Sequence, residues 1–119
     1  MSQHRTVAEA FSGHRFTETY PHLAVDVTWV ARGGSTTAGR DAVVAACEAA
    51  AVELRTITTD FLTFRTVDGG DSIAVETVGR YVDDTTTSYV ASCDLYTFAD
   101  DRLSEIVSYA VDIDAPEGR

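Results

Sequence analysis

The 119-residue chain contains no lysine, and basic residues of any kind are few. Nine arginines stand against 19 acidic residues, which gives a formal net charge of −10. Proteins that bind nucleic acid need a basic stripe to neutralise phosphates and release counterions, and this sequence has none. We therefore expect no nucleic-acid partner and no attraction to an anionic membrane. The acidic residues are scattered along the chain, which is typical of a solvated surface.

Long hydrophobic runs and a secretory leader are missing as well. The longest apolar stretch, residues 42–52, is too short to cross a bilayer and is interrupted by Glu48. No basic segment followed by an apolar one opens the chain, so we expect a cytoplasmic protein. A chain of this length with 45% hydrophobic residues fits a single domain over residues 1–119.

Cysteine is scarce. Cys47 and Cys93 are the only two cysteines, and neither has a C-x-x-C partner or a histidine at ligand spacing. A metal site would need ligands that this spacing does not offer, so we expect neither a metal nor a cofactor. The pattern favours two buried free thiols in a reducing compartment, with a catalytic thiol as the alternative.

The hydrophobic pattern predicts three helical segments in the first half of the chain. Val7, Ala10 and Phe11 recur at helical spacing in a segment that ends at Gly13. A shorter helical pattern covers residues 16–23. The clearest helix covers residues 40–54, where one stripe carries small side chains. The residues of that stripe are Val43, Ala46, Cys47, Ala50 and Leu54.

Residues 25–32 alternate and are rich in β-branched and aromatic side chains, which predicts a strand. From residue 56 onward the pattern predicts four antiparallel strands, at 56–67, 72–82, 88–98 and 103–113, joined by short polar turns. Helices gathered on one side of such a sheet define an α+β domain with the element order ααβαββββ.

Both faces of the strand at 88–98 carry apolar residues. One face holds Val90, Ser92, Asp94, Tyr96 and Phe98, and the other holds Tyr89, Ala91, Cys93 and Leu95. Three helices can cover only one face of the sheet, so we expect a homodimer packed through the outer face at Tyr89 and Leu95. Glu76 and Arg80 are expected on the same outer face, as a possible ion pair.

Four strings in this order resemble the nuclear transport factor 2-like superfamily, and within it the SnoaL-like small proteins. They are HLAVDVTW at 22–29, GRDAV at 39–43, SCDLYTF at 92–98 and IVSY at 106–109. The resemblance covers about residues 5–114. It implies a cone-shaped domain whose three N-terminal helices pack on a curved, mixed or antiparallel sheet around an apolar pocket. Known members include steroid isomerases, polyketide cyclases, dehydratases, epoxide hydrolases and non-catalytic domains, so the fold does not decide the function.

Asp94 is the leading catalytic candidate. The steroid isomerases to which the chain is similar place a protonated carboxylic acid at the matching position, where it donates a hydrogen bond to a developing oxyanion. A carboxyl beside Tyr96 and Phe98 must pair, be solvated in a cavity, or keep its proton. The alternative is that Asp94 only accepts hydrogen bonds from neighbours such as Ser92 or Ser108.

Two other positions of the isomerase machinery are apolar in this chain. The resemblance places the general-base aspartate of those enzymes on Ala31 and their catalytic tyrosine on Val7. We therefore do not expect the isomerase mechanism with these residues.

Further candidates follow from the cone that the resemblance implies. Tyr96, Tyr20, His14 and His22 are candidate catalytic partners of Asp94. The candidate substrate-binding residues are Trp29, Cys47, Tyr81, Ser92, Phe98 and Ser108. The alternatives are ordinary core packing for the aromatic residues and surface capping for the histidines. Ala46 and Cys47 stand where relatives carry larger aromatic side chains, so we expect a roomy pocket.

The expected function is cofactor-independent proton-transfer chemistry on a small apolar organic molecule. Isomerisation, aldol-type cyclisation, dehydration and epoxide opening all belong to this class. The alternatives are a non-catalytic ligand-binding or sensing domain and a dimerisation scaffold.

Overall fold

The computed structural model describes residues 3–116, so residues 1–2 and 117–119 of the predicted domain lie outside the described part. The two long helices are α1, Gln3–Ser12, and α2, Arg40–Leu54. The strands are β1 Leu23–Ala31, β2 Thr36–Ala38, β3 Thr58–Asp68, β4 Ser72–Val82, β5 Thr87–Ala99 and β6 Arg102–Ile113. Two 3-10 turns, Phe16–Glu18 and Tyr20–His22, join α1 to β1. The predicted α+β fold class is confirmed.

The strands form one six-stranded mixed sheet in the order β2-β1-β6-β5-β4-β3. Strands β3 to β6 are an antiparallel meander, while β1 runs parallel to β6 and antiparallel to β2. The register of β3 with β4 skips Leu62, and the register of β5 with β6 skips Ser104, which marks one bulge in β3 and one in β6. Bulges bend strands and increase their twist, so these two contribute to the curvature of the sheet.

The core occupies one end of the concave side of the sheet, under α1 and α2. Its central row crosses three strands, because Ile73 pairs with Tyr96 and Tyr96 pairs with Ile106. All three side chains are fully buried, as are Val43 and Cys47 on α2. The next two rows along the same strands are Val75–Asp94–Ser108 and Thr77–Ser92–Ala110. From the first row to the other two, large apolar side chains give way to smaller and polar ones. The packed core therefore ends between the first row and the second.

Two features of the first half of the chain differ from the sequence prediction. The second predicted helix is two 3-10 turns, because Pro21 lacks the backbone N–H that an α-helix needs there. The short edge strand β2 was not predicted. It has only three residues, too few for an alternating pattern to be visible.

The proposed pairing of Glu76 with Arg80 is wrong. Arg65 Nη2 lies 2.9 Å from Glu76 Oε1, and Arg80 Nη1 lies 3.5 Å from Asp60 Oδ2. Both are cross-strand pairs, since Arg65 and Asp60 lie directly opposite their partners in the register of β3 with β4. Opposite residues on neighbouring strands have β-carbons about 5 Å apart, whereas residues four apart on one strand are separated by about 13 Å.

The two cysteines differ in burial. Cys47 is a fully buried free thiol, as predicted, and burial raises its pKa to about 12. Cys93 is a free thiol that is only partly buried, because it lies on the outer face of β5, where the described residues place no helix. Burial together with the charges of Asp94 and Glu76 raises the pKa of Cys93 as well. A reactive thiol needs a lowered pKa, so neither cysteine has the environment of a nucleophile.

The outer face of the sheet carries exposed apolar side chains. Leu95 is 42% exposed and Tyr109 is 45% exposed, and Val67 and Val111 are more exposed still. Tyr89 lies half-buried on the same face. None of the helices within residues 3–116 is long and apolar enough to cross a membrane.

Candidate active site

A cavity of about 310 Å³ lies between the C-terminal ends of α1 and α2 and the concave face of the meander. Its apolar lining includes Phe11, Phe16, Trp29, Ala50, Leu54 and Ile57. Its polar lining includes Ser12, His14, Thr77, Tyr81, Ser92 and Asp94. The volume is at the lower end of the range of about 300–1,000 Å³ for ligand pockets, which suits a compact molecule.

Asp94 lies on the sheet wall of this cavity and is tied to α1 and to its own strand. Ser12 Oγ donates a hydrogen bond of 2.8 Å to Oδ2 of Asp94, and the Tyr96 hydroxyl lies 3.4 Å from the same oxygen. The Ser12 and Tyr96 hydroxyl oxygens are 2.5 Å apart. Both contacts to Asp94 involve Oδ2, and no residue within 3–116 forms a hydrogen bond with Oδ1.

The number of hydroxyl protons decides which group donates and which accepts among Ser12, Tyr96 and Asp94. Ser12 has one hydroxyl proton, and it is donated to Asp94, so Tyr96 must donate its own proton to Ser12. Tyr96 is 1% exposed, and its burial, together with the nearby Asp94 charge, raises its pKa well above the usual value. The phenol therefore keeps its proton, and the chain Tyr96–Ser12–Asp94 holds one carboxyl oxygen in place as an acceptor.

His14 enters the cavity because of the way in which α1 ends. The Arg15 amide donates to the Ala10 carbonyl and the His14 amide donates to the Phe11 carbonyl, which is the Schellman pattern. His14 occupies the left-handed position of this motif, with φ of 65°, where glycine is the usual residue. The sequence pattern suggested Gly13 as the end of the helix, but the left-handed residue is His14. A non-glycine residue in this conformation costs free energy and is a pointer to function.

The environment of His14 keeps its imidazole neutral. The ring centroid lies 5.4 Å from that of Phe61, 5.8 Å from that of Phe16 and 6.1 Å from that of Tyr81. Burial lowers the pKa of His14, and the charge of Asp94 opposes that effect only in part. A neutral imidazole has one nitrogen that accepts and one that donates, so it can take a proton or supply a hydrogen bond.

Tyr81 reaches the cavity over a glycine. A β-carbon built on Gly79 would lie 2.6 Å from Tyr81 Cε1 and 3.0 Å from its hydroxyl oxygen, so the ring occupies the space of the absent side chain. Burial, and secondarily the charge of Asp94, raises the pKa of Tyr81. The charge of Asp94 thus acts on both His14 and Tyr81, which places the three groups around one space.

Trp29 and Ser108 close the wall at β1 and β6. Trp29 Nε1 donates a hydrogen bond of 3.0 Å to Ser108 Oγ, which leaves the Ser108 hydroxyl proton available. Ser108 pairs with Asp94 in the register of the sheet, while Asp94 accepts its hydrogen bond from Ser12. Asp94 therefore accepts from a hydroxyl group, as the alternative expected, but that hydroxyl belongs to Ser12 and not to Ser92 or Ser108.

Several candidate residues lie away from the cavity. The Tyr20 hydroxyl donates to Glu48 on α2 at 2.7 Å instead of reaching inward, and His22 ends the second 3-10 turn. Cys47 is buried in the core, and Phe98 is buried under a stacked His4 ring at 4.1 Å. Tyr96 lies behind the cavity wall and acts on it through Ser12.

Other lining residues were not anticipated. Ser12 is the last residue of α1, and no pattern in the sequence connects it to a strand 82 positions away. Glu53 and Leu54 line the cavity together with Thr77. Two of these residues could have been found from the sequence. Leu54 belongs to the apolar stripe of α2, and Thr77 shares the strand face of Tyr81. Among residues 3–116, no cluster of three or more histidine, cysteine or acidic residues is arranged to hold a metal ion.

A curved sheet and two helices that enclose one end-opening cavity define a small cone-shaped α+β protein of the nuclear transport factor 2-like class. The SnoaL-like domain profile matches residues 4–106. The chain therefore belongs to the SnoaL-like domain family, as the sequence strings indicated. No curated protein matches the sequence at a significant level.

Solved structures share the fold. A nuclear transport factor 2-like protein of unknown function from Cytophaga hutchinsonii is 24% identical, with a TM-score of 0.82 over 91% of this chain and 96% of that one. An LEH-like epoxide hydrolase from M. tuberculosis is 14% identical, with a TM-score of 0.66 over 90% and 81% of the two chains. A protein of ketosteroid isomerase-like fold from Catenulispora acidiphila, solved with trimethylamine, is 16% identical, with a TM-score of 0.66 over 87% and 82%. At these identities the likeness establishes the fold alone.

Proposed function

We propose that this protein is a cofactor-independent enzyme that transfers protons on a small, largely apolar organic molecule bound in the cavity. The observation that carries the proposal is that Asp94 and His14 line the same apolar-walled cavity. One carboxyl oxygen of Asp94 accepts a hydrogen bond from Ser12 and the other has no donor among residues 3–116, while the half-buried imidazole has a lowered pKa and is neutral. Both groups can exchange a proton with a substrate, and they are held by different elements of the fold.

The chemistry follows from what each group can hold. Asp94 Oδ1 takes a proton from an acidified C–H or O–H group of the substrate and later returns it to another atom, so no oxidant or reductant is needed. His14 serves as the second proton carrier. Tyr81, whose pKa is raised, stays protonated and donates a hydrogen bond to an oxygen on which negative charge develops. Isomerisation, aldol-type cyclisation, dehydration and epoxide opening all fit this scheme.

The lining supports a mainly apolar substrate. Aromatic and aliphatic side chains of the helices, of β1 and of the connecting segments form the apolar part of the wall. Polar side chains lie both on the sheet, around Asp94, and at the helix ends, at Ser12, His14 and Glu53. Such walls exclude water, which strengthens the electrostatic effect of the few polar groups on the substrate.

A non-catalytic binding domain is the second candidate function. The observation that favours it is the small number of titratable groups on the wall, together with the trimethylamine in the Catenulispora acidiphila structure. A binding domain would hold its ligand without turnover, and replacing His14 would change affinity rather than a rate.

We further propose that the chain forms a homodimer through the outer face of the sheet at Tyr89 and Leu95. Exposed apolar side chains on neighbouring strands of this face support the interface, since Leu95 and Tyr109 are each more than 40% exposed. The Arg65–Glu76 pair places both signs of charge on the same face, so a two-fold symmetric contact brings no excess of like charge.

Hydrogen–deuterium exchange into candidate substrates tests the proposed enzyme function. The wild-type protein is incubated in D₂O with a panel of small unsaturated ketones, 1,3-dicarbonyl compounds and epoxides, and products are followed by NMR and mass spectrometry. Asp94→Asn should lower the rate of the active compound by about 100-fold or more, the usual contribution of a general base. Asp60→Asn, which changes an exposed carboxylate on β3, is the control and should leave the rate unchanged. Full activity in Asp94→Asn would refute the proposal.

A further inference from the structure

The cavity contains a carboxylate, Asp94, that no cationic side chain within residues 3–116 pairs with. The ion pairs within residues 3–116 do not include Asp94. No arginine within residues 3–116 lines the cavity, and Arg32, directly after β1, is engaged by Tyr109. Its Nε lies 3.4 Å from the Tyr109 hydroxyl and its guanidinium carbon lies 5.9 Å from the Tyr109 ring centroid. Arg15 pairs with Glu18 at 3.3 Å.

The missing cationic partner of Asp94 matters because much of the cavity wall is apolar. Asp94 is half-buried, and a carboxylate that is partly removed from water is stabilised by hydrogen bonds or by an opposite charge. Ser12 supplies a hydrogen bond to Oδ2, and Tyr96 supports that bond by donating to Ser12. Oδ1 has no such donor among the described residues, in a cavity whose other acidic lining residue, Glu53, adds a second negative charge. The field inside the cavity therefore attracts cations and repels anions.

The aromatic lining acts in the same direction. Phe11, Phe16, Trp29 and Tyr81 all border the space that Asp94 borders. Phe11 packs edge-on against Phe16 and Trp29 at centroid distances of 5.2 and 5.0 Å, which makes these rings one continuous wall. The faces of aromatic rings attract alkylated ammonium groups, and the attraction is largest where water is excluded. A ligand with an apolar body and a positive head satisfies both the carboxylate and the rings.

We propose that the substrate carries a substituted ammonium group that pairs with Asp94 inside this aromatic wall. The inference rests on the proposed function and specifies the substrate class. The positive charge adjacent to the reacting carbon stabilises the carbanion or enolate that proton removal creates. For this substrate class Asp94 binds the ammonium through Oδ1 instead of acting as the base. The neutral imidazole of His14 then takes the proton from the neighbouring carbon and returns it, and the substrate is neither oxidised nor reduced.

A pair of isosteric probes tests the charge requirement. Choline and 3,3-dimethyl-1-butanol have the same shape, and they differ in having a quaternary nitrogen or a quaternary carbon. Trp29 is the single tryptophan and lines the cavity, so its fluorescence reports binding of either probe. NMR titration provides a second measure. We expect choline to bind wild-type protein about tenfold tighter than the alcohol, or more, the scale of a desolvated cation–π contact.

The variants separate the contributions. Asp94→Asn keeps the shape of the side chain and should reduce the preference for choline to about one, with its fold checked by circular dichroism. Asp26→Asn removes an exposed carboxylate at a groove elsewhere on the surface and should retain the full preference. Equal binding of the two probes by the wild-type protein, or an unchanged preference in Asp94→Asn, would overturn the inference.

The inference and the proposed function fail in different ways. Neutral compounds that undergo Asp94-dependent exchange, without any preference for choline, would leave the enzyme function standing and remove the cationic substrate. A preference for choline that depends on Asp94, without turnover of any ammonium compound, would retain the cation site and refute the enzyme function.

Discussion

Ser12, at the end of α1, donates its hydroxyl proton to Asp94 in the middle of β5 across 2.8 Å, although 82 positions separate the two residues. Ser12 is only 6% exposed, and it also accepts the proton of the fully buried Tyr96 hydroxyl. One small side chain therefore connects the helix to the sheet and orients the carboxylate at the cavity.

Replacing Ser12 by alanine should destabilise the protein by about 1–3 kcal/mol, because the Tyr96 hydroxyl loses its acceptor in a buried site and Asp94 loses its donor. Urea denaturation measures the loss. Ser12→Thr keeps the hydroxyl and should recover most of it. Ser104→Ala, which removes a hydroxyl bonded to the Thr97 carbonyl near the surface, is the control and should cost much less. Equal stability losses in Ser12→Ala and Ser104→Ala would contradict the assigned network.

A β-carbon at position 79 should displace the Tyr81 ring from the cavity wall. Gly79→Ala brings a methyl group to 2.6 Å from Tyr81 Cε1, and overpacking of this kind costs about 1–3 kcal/mol. Thermal unfolding and the NMR shifts of the Tyr81 ring report the change. The closest heavy atom to a β-carbon at Gly34 would be 3.5 Å away, so Gly34→Ala should be nearly neutral.

A double variant identifies the cause of that cost. Combined with Tyr81→Ala, Gly79→Ala has no ring to displace and should cost far less than it does alone. If Gly79→Ala costs the same with and without the ring, the contact between Gly79 and Tyr81 does not determine the effect.

Acidification should destabilise the protein through His14. Its pKa is lowered in the folded state, so below the ordinary histidine value of about 6.5 the unfolded chain binds a proton that the folded chain resists. The contribution of neutral His14 is fully present above that pH and is lost as the pH falls. His14→Asn, which tolerates the left-handed backbone, should therefore lose less stability than wild type between about pH 7.5 and 5.

His4 provides a control of opposite sign. Its hydrogen bond to the Gly70 carbonyl and its proximity to Asp101 raise its pKa, so its contribution is present at low pH and lost as the pH rises. His4→Asn should consequently lose more stability on acidification than wild type. Denaturation midpoints at about pH 7.5 and 5 measure how much stability each variant loses on acidification. If His14→Asn and the wild type lose the same amount, burial does not lower the pKa of His14 as described.

Arginine at position 95 should separate the proposed dimer. Leu95 is 42% exposed at the centre of the outer face, and a charge buried there without a partner opposes association. Light scattering should show a dimer for wild type and a monomer for Leu95→Arg. Val52→Arg, at an exposed position on α2, is the matched control and should remain dimeric. A dimer that persists in Leu95→Arg would locate the interface elsewhere.

The strands and the long helices follow from local patterns in the sequence. The predicted limits of α2 and β4 agree with the structure, and β3, β5 and β6 differ by one or two residues at their ends. Short elements escaped prediction, because the 3-10 turns and β2 contain three residues each. Periodicity needs more residues than that to be detected.

The candidate site was predicted in part. Alternation along β5 and the family strings both pointed to Asp94, and alternation on β1 and β4 pointed to Trp29 and Tyr81. The sequence shows which face of a strand a residue occupies, because successive side chains of a strand point to opposite faces. Three other candidates share faces with cavity residues but do not line the cavity, namely Tyr20, Cys47 and Phe98. The face that a residue occupies does not show how far along a helix or strand the packed core extends.

The sequence by itself determined the α+β class, the identity and approximate limits of the long elements, and the face on which Asp94 lies, because local periodicity and composition specify these. Only the tertiary structure decided that Ser12 holds Asp94, that His14 occupies the left-handed end of α1, and that the cavity begins one row beyond Tyr96. Each of these depends on contacts between segments far apart in the chain. The acidic, lysine-free composition predicts no nucleic-acid partner, while the fold places one of those carboxylates in a cavity where no described residue pairs it with a positive charge.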